Sequence, residues 1–77
     1  MNWHDYIHSD PTILVGKPVV KGTRLSVEFL LQLLAEGWTP AMIFEQYPSL
    51  PPAGLQAVFA FVAECMHDTT FYPRAAA

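Results

Sequence analysis

Three of the four cationic side chains in this 77-residue sequence lie within one segment of eight residues. They are Lys17, Lys21 and Arg24, whereas Arg74 lies far along the chain. Lysine and arginine side chains bind phosphate oxygens, and arginine also pairs with carboxylates. We therefore treat the three clustered residues as candidate DNA or phosphate contacts. For Arg24 the alternative is a structural role, in which the guanidinium binds loop carbonyls or a carboxylate such as Asp10.

Two glycines accompany these cations and predict tight turns. Glycine adopts positive φ without the steric cost that a Cβ atom brings, so it allows a reversal that other residues resist. Gly16 interrupts an apolar run, and Gly22 precedes Thr23 between two predicted elements. We predict that Gly16, Gly22 and Thr23 are structural turn residues.

Other residue types that perform chemistry are too scattered to form a recognisable site. His4 and His8 lie four apart, and Cys65 and His67 two apart, but structural zinc sites usually take their ligands in tight paired loops. No motif supports a serine or cysteine nucleophile, and no glycine-rich loop cradles a phosphate. We predict no enzymatic activity, no cofactor and no metal site.

Composition favours an interaction module. Hydrophobic residues make up 52% of the chain and charged residues 14%, against about 25% charged in a typical domain. A chain this short cannot bury all of its large side chains, so some are expected to cover a partner or a second copy. The formal net charge of −3 repels phosphate, which argues against a general nucleic-acid binder.

The single cysteine, Cys65, excludes an internal disulfide. No apolar run approaches the roughly 20 residues that cross a bilayer, and the first residues lack the positive start of a secretory signal. We therefore expect a cytoplasmic protein with no membrane association.

The first 20 residues predict a small β arm. Loose alternation over residues 3–8 favours a short strand, and Asp10-Pro11 is a turn signal. The apolar runs 13–15 and 19–20, separated by Gly16-Lys17-Pro18, predict a hairpin.

Helix start and stop signals predict three helices after the arm. Ser26 is a suitable N-cap for a first helix that Gly37 ends, and Thr39 caps a short second helix that ends before Pro48. A third helix is predicted from apolar residues at helical spacing, namely Leu55, Val58, Phe59, Val62 and Met66.

These elements define the predicted architecture. The fold class is mainly α with a small N-terminal β arm, and the last two helices form a helix-turn-helix-like pair. We predict one domain over residues 1–74, with the arm at about 3–20, the helical bundle at about 26–67 and a tail at 75–77.

The surfaces of two of these helices bear on function. Phe29 and Leu33 widen the apolar arc of the first helix and are candidate partner or dimer contacts. The outward side of the third helix carries Gln56 and Glu64, and only Gln56 suits a base edge. The helical pair is therefore interpreted as a packing framework and not as a DNA reader.

The cationic segment also carries a family resemblance. Residues 10–27, which include Gly16-Lys17-Pro18-Val19-Val20-Lys21-Gly22-Thr23-Arg24, are similar to the domain-of-unknown-function 433 family. Gly37-Trp38-Thr39 and Tyr47-Pro48-Ser49-Leu50 extend the similarity, which spans roughly residues 7–62. Two positions depart from the family pattern: Val15 replaces the usual first glycine of a pair, and Pro51-Pro52-Ala53-Gly54 replaces a more polar helix start.

The resemblance implies a small prokaryotic protein with a β arm and a homeodomain-like three-helix bundle. It further implies an antitoxin-like component of a type II toxin–antitoxin pair, often encoded beside a PIN-like nuclease. Our first functional hypothesis is accordingly an antitoxin-like protein that neutralises a toxin by protein contact and also touches operator DNA. The alternative is a homo-oligomeric structural or adaptor module without nucleic-acid binding, and either version is expected to be a homodimer or larger.

Overall fold

The computed structural model describes residues 1–67, so Arg74 and the predicted tail at 75–77 lie outside the described residues. Two short strands, β1 (Ile7–Ser9) and β2 (Pro18–Val20), precede three helices, α1 (Val27–Ala35), α2 (Pro40–Gln46) and α3 (Pro52–His67). The predicted fold class, mainly α with an N-terminal β arm, is confirmed. No helix among residues 1–67 has the length and apolarity to span a membrane.

The ends of the helices follow the capping signals of the sequence. The hydroxyl of Ser26 accepts a hydrogen bond of 2.9 Å from the backbone N–H of Phe29, and the hydroxyl of Thr39 accepts one of 3.2 Å from Met42. Such bonds satisfy N–H groups that have no partner within the first turn. Helix α1 ends before Gly37, whose φ of +97° is accessible to glycine at low cost.

The β arm differs from its predicted form. Residues 3–5 form a single 3₁₀ turn, and the strand that pairs with β2 is β1 and not the run 13–15. Ile7 lies opposite Val20 and Ser9 opposite Pro18 in an antiparallel ladder. The partner of β2 is therefore the segment 7–9, which places Ile7 in the core. The run 13–15 is left in the connection between the two strands.

The core lies where α1 and α3 cover the arm. Val19 and Val20 are both fully buried, and α1 contributes Leu30 and Leu33 to the core cluster that contains Val20. Gly54 brings the first turn of α3 close to β2, since a Cβ atom there would lie 3.1 Å from Cγ1 of Val20. A larger residue at position 54 would push the helix and the strand apart.

Helix α3 is buried only in its N-terminal half. Leu55, Ala57 and Val58 are buried, whereas Phe59 is 42% exposed, although its spacing predicts a place on the apolar face. The helix has 16 residues against nine in α1 and seven in α2, so the shorter helices cannot cover its whole length.

Candidate functional site

The connection between β1 and β2 contains three consecutive residues with left-handed backbone angles. The φ values are +50° for Leu14, +58° for Val15 and +82° for Gly16. Positive φ is costly for any residue with a Cβ atom, and a β-branched residue there is an outlier. Gly16 thus continues a left-handed segment that begins at Leu14 and Val15, where the sequence analysis did not predict positive φ.

Hydrogen bonds at the start of this connection hold it in place. The Asp10 carboxylate accepts bonds of 2.9 Å from the backbone N–H of Thr12 and 2.8 Å from its hydroxyl. These bonds favour the charged form, so they lower the pKa of Asp10 below its usual range. Backbone bonds from Gly16 to Ile13 and from Lys17 to Leu14 close the turn that follows.

The second predicted turn leads from β2 to α1. Gly22 has a φ of +81°, as predicted, and the hydroxyl of Thr23 donates to the carbonyl of Val20 at 2.8 Å while accepting from the N–H of Leu25 at 3.0 Å. The N–H of Val20 donates in turn to the carbonyl of Leu25. Thr23 is therefore the residue whose side chain ties the turn together, and the turn delivers Arg24 to the surface.

The three clustered cations have different surroundings. Lys17 forms an exposed ion pair with Glu28, with a distance of 3.1 Å between Nζ and Oε1. Lys21 is exposed, and its backbone N–H donates to the carbonyl of Tyr6. Arg24 is exposed and forms no hydrogen bond or ion pair within residues 1–67, so the predicted structural tie to Asp10 is not formed there. Arg24 consequently presents an uncompensated positive charge.

A groove joins the left-handed connection to the start of α1. It has a volume of about 480 Å³ and is lined by Leu14, Val15, Lys17, Arg24, Ser26 and Phe29. We call it the arm groove. Three of its lining residues are apolar, and Lys17 and Arg24 supply the charge, while Lys21 does not line it. The fold thus brings together two of the three predicted contacts and leaves the third outside.

The two predicted interface residues of α1 point in different directions. Phe29 is half-buried in the wall of the arm groove, with its ring edge-to-face against Tyr47 at a centroid distance of 5.6 Å. Leu33 is only 7% exposed and packs in the core of its own chain. The expectation that Leu33 contacts a second copy is not supported, because its side chain is already covered by residues of the same chain.

Three lining residues were not among the candidate functional residues, namely Ser26, which was predicted only as an N-cap, and the neighbouring Leu14 and Val15. Val15 is 95% exposed and Leu14 is 41% exposed, although both belong to an apolar run that predicts one strand of a hairpin. The one signal in the sequence was Val15, where the resemblance to the family implies a glycine. A glycine position indicates positive φ, and the structure places this valine at +58°.

A second apolar groove lies between α1 and α3. It has a volume of about 310 Å³, and its lining includes Val27, Leu31, Phe61 and Val62. Among residues 1–67 no three histidine, cysteine or acidic side chains lie close enough together to hold a metal ion.

A family model described as a protein of unknown function (DUF433) matches residues 7–62. The match covers more than half of the chain, and the chain belongs to this family. No curated protein and no solved structure matches it. The matched range contains both turns, the three clustered cations and every residue that lines the arm groove.

Proposed function

We propose that this chain is the antitoxin-like component of a type II toxin–antitoxin pair and that it neutralises a toxin, such as a PIN-like nuclease, by contact at the arm groove. The observation that carries the proposal is Val15, an almost fully exposed β-branched residue held at positive φ. This side chain contributes almost no buried apolar area to the fold, whereas its positive φ raises the free energy of the folded state. Strained backbone that the fold itself does not require is typical of binding sites.

The composition of the groove supports a protein partner. Apolar side chains at the surface of a small domain mark interaction sites when they lie next to one another. Leu14, Val15 and Phe29 are adjacent in the groove, and Arg24 supplies the residue type that is enriched at protein interfaces. Operator contact through Lys17, Lys21 and Arg24 is the second part of the proposal, and it is supported by their shared location near the arm.

The proposal is tested by co-expression with the open reading frame adjacent to this gene. We expect a nuclease-like product that arrests growth when expressed alone and that is neutralised and co-purified by this chain. Val15→Asp should abolish both neutralisation and co-purification, because it places a charge among apolar lining residues. Met42→Asp is the matched control, since Met42 is 44% exposed on α2 and lies outside the arm groove.

Two results would contradict the proposal. One is a neighbouring product that neither arrests growth nor binds this chain. The other is equal loss of neutralisation in both aspartate variants, which would remove any specific role for the arm groove.

The homo-oligomeric module is the second candidate function, and the groove between α1 and α3 favours it. Leu31, Phe61 and Val62 form an apolar surface there that a second copy could cover. Sedimentation at micromolar concentration tests this candidate: a dimer that dissociates on Leu31→Glu and binds no product of the neighbouring gene supports it, whereas a single 8.6 kDa species argues against it.

A further inference from the structure

We propose that the arm groove recognises a protein segment in which a carboxylate lies next to an apolar side chain, with the carboxylate bound by Arg24 and the apolar side chain held against Val15 and Phe29. This proposal rests on the proposed function and adds the chemistry of the partner. It names a short acidic and apolar stretch of a protein as the occupant.

The charge of the groove selects the carboxylate. Arg24 forms no ion pair among residues 1–67, whereas Lys17 is already paired with Glu28 across 3.1 Å. The groove therefore offers one uncompensated positive charge. A guanidinium binds a carboxylate through two parallel hydrogen bonds, and apolar surroundings strengthen them by excluding water.

The same charges make a nucleic-acid backbone the weaker occupant of this groove, so the operator contact proposed above depends chiefly on Lys21, which lies outside it. A DNA duplex presents one phosphate charge for about every 1.7 Å of its axis, and binding requires several cations in a row. Here Glu28 lies beside Lys17 and would repel phosphates, and the chain as a whole carries a formal charge of −3. A single carboxylate needs only one cation, and its one negative charge is repelled less by Glu28 and by the net charge of the chain than a row of phosphates is.

The apolar part of the groove selects the neighbouring side chain. Phe29 is fixed in place by the edge-to-face contact of its ring with Tyr47, and Ser26 is rigid because its hydroxyl caps α1. Val15 also lines the groove, on a connection that is closed by its own hydrogen bonds. These walls are preformed, so a partner would lose little free energy in ordering them.

The experiment uses the intact protein and three blocked hexapeptides, followed by NMR titration of the ¹⁵N-labelled chain. The first peptide alternates leucine and glutamate, the second replaces glutamate by glutamine, and the third replaces leucine by serine. We expect the leucine–glutamate peptide to shift the amide signals of Val15, Arg24 and Phe29. The glutamine peptide should bind up to about fivefold more weakly, which is the upper range for one exposed charge pair. The serine peptide should also bind more weakly, because it loses the apolar contact with the groove.

Variants of the chain test whether Arg24 is the group that binds the carboxylate. Arg24→Gln should remove the preference for glutamate over glutamine and leave binding of the glutamine peptide unchanged. Glu45→Gln, which alters an exposed charge on α2 outside the groove, should change neither affinity. Equal binding of the glutamate and glutamine peptides by the wild-type chain would overturn the proposal, and so would a DNA duplex that shifts the same three signals while no peptide does.

Failure of the carboxylate site and failure of the antitoxin-like function give different results. If the toxin is bound and neutralised equally well by Arg24→Gln, the carboxylate site is refuted while the antitoxin-like function stands. If the leucine–glutamate peptide binds in the groove and the neighbouring gene product does not, the recognition chemistry stands and the toxin–antitoxin assignment fails.

Discussion

Replacing Val15 by glycine should make the protein more stable while weakening partner binding. Val15 is 95% exposed, so removing its side chain loses about 5% of the roughly 1.5–3 kcal/mol that full burial of a valine provides, or about 0.1 kcal/mol. Because glycine adopts positive φ without the steric clash of a Cβ atom, the substitution should raise the free energy of unfolding by about 1–2 kcal/mol. The added freedom of glycine in the unfolded chain costs about 0.4–1 kcal/mol. The net expectation is stabilisation of about 0.5–1 kcal/mol.

Thermal unfolding followed by circular dichroism measures this change. In a domain of this size 1 kcal/mol moves Tm by about 4–8 °C, so Val15→Gly should melt about 2–8 °C above the wild type. Gly16→Ala is the matched control in the same turn, because its new Cβ atom would meet nothing closer than 3.9 Å but would sit at a φ of +82°. This control should lower Tm. An unchanged or lower Tm for Val15→Gly would refute the assignment of strain to Val15.

Three further predictions concern the turns and charges of the same region. Gly22→Val should destabilise the fold by about 1–3 kcal/mol and Gly22→Ala by less; no atom lies within 4 Å of the added Cβ, so melting temperatures equal to wild type would show that φ is not restrictive there. Replacing Lys17 and Lys21 together with glutamine should weaken operator binding similarly across sequences and flatten its salt dependence; a gel shift lost instead in Gln56→Ala would reverse this assignment. The lowered pKa of Asp10 means that its stabilising effect is complete above the unfolded pKa of about 3.9 and is lost as pH falls through the folded value. The difference in unfolding free energy between wild type and Asp10→Asn, measured in urea, should therefore shrink below about pH 4 and stay constant above it; a difference that persists undiminished in acid would contradict this.

The sequence by itself determined the helices and the turns that precede them. Ser26 and Thr39 accept backbone hydrogen bonds at the starts of α1 and α2, and Gly37 ends α1 with positive φ. These are local effects, because each depends on residues within one turn of the chain. The conformation of Gly22 was predictable for the same reason, and the family membership followed from the motif around it.

Only the tertiary structure decided which residues pair and which are exposed. The β arm pairs Ile7 with Val20, and this register depends on contacts between segments that lie far apart in sequence. The apolar run 13–15 looks like one strand of a hairpin, yet Val15 is exposed because β1 occupies the position beside β2.

The candidate site depends on the same long-range packing. Leu33 and Phe29 both belong to an apolar arc of α1, and only the placement of the arm and α3 buries the first and leaves the second in a groove wall. The pairing of Lys17 with Glu28 across 11 positions of sequence likewise leaves Arg24 as the cation of the arm groove that has no counter-charge among residues 1–67. Spacing along a chain specifies the face of one element, but burial and charge compensation are decided by the elements that pack against it.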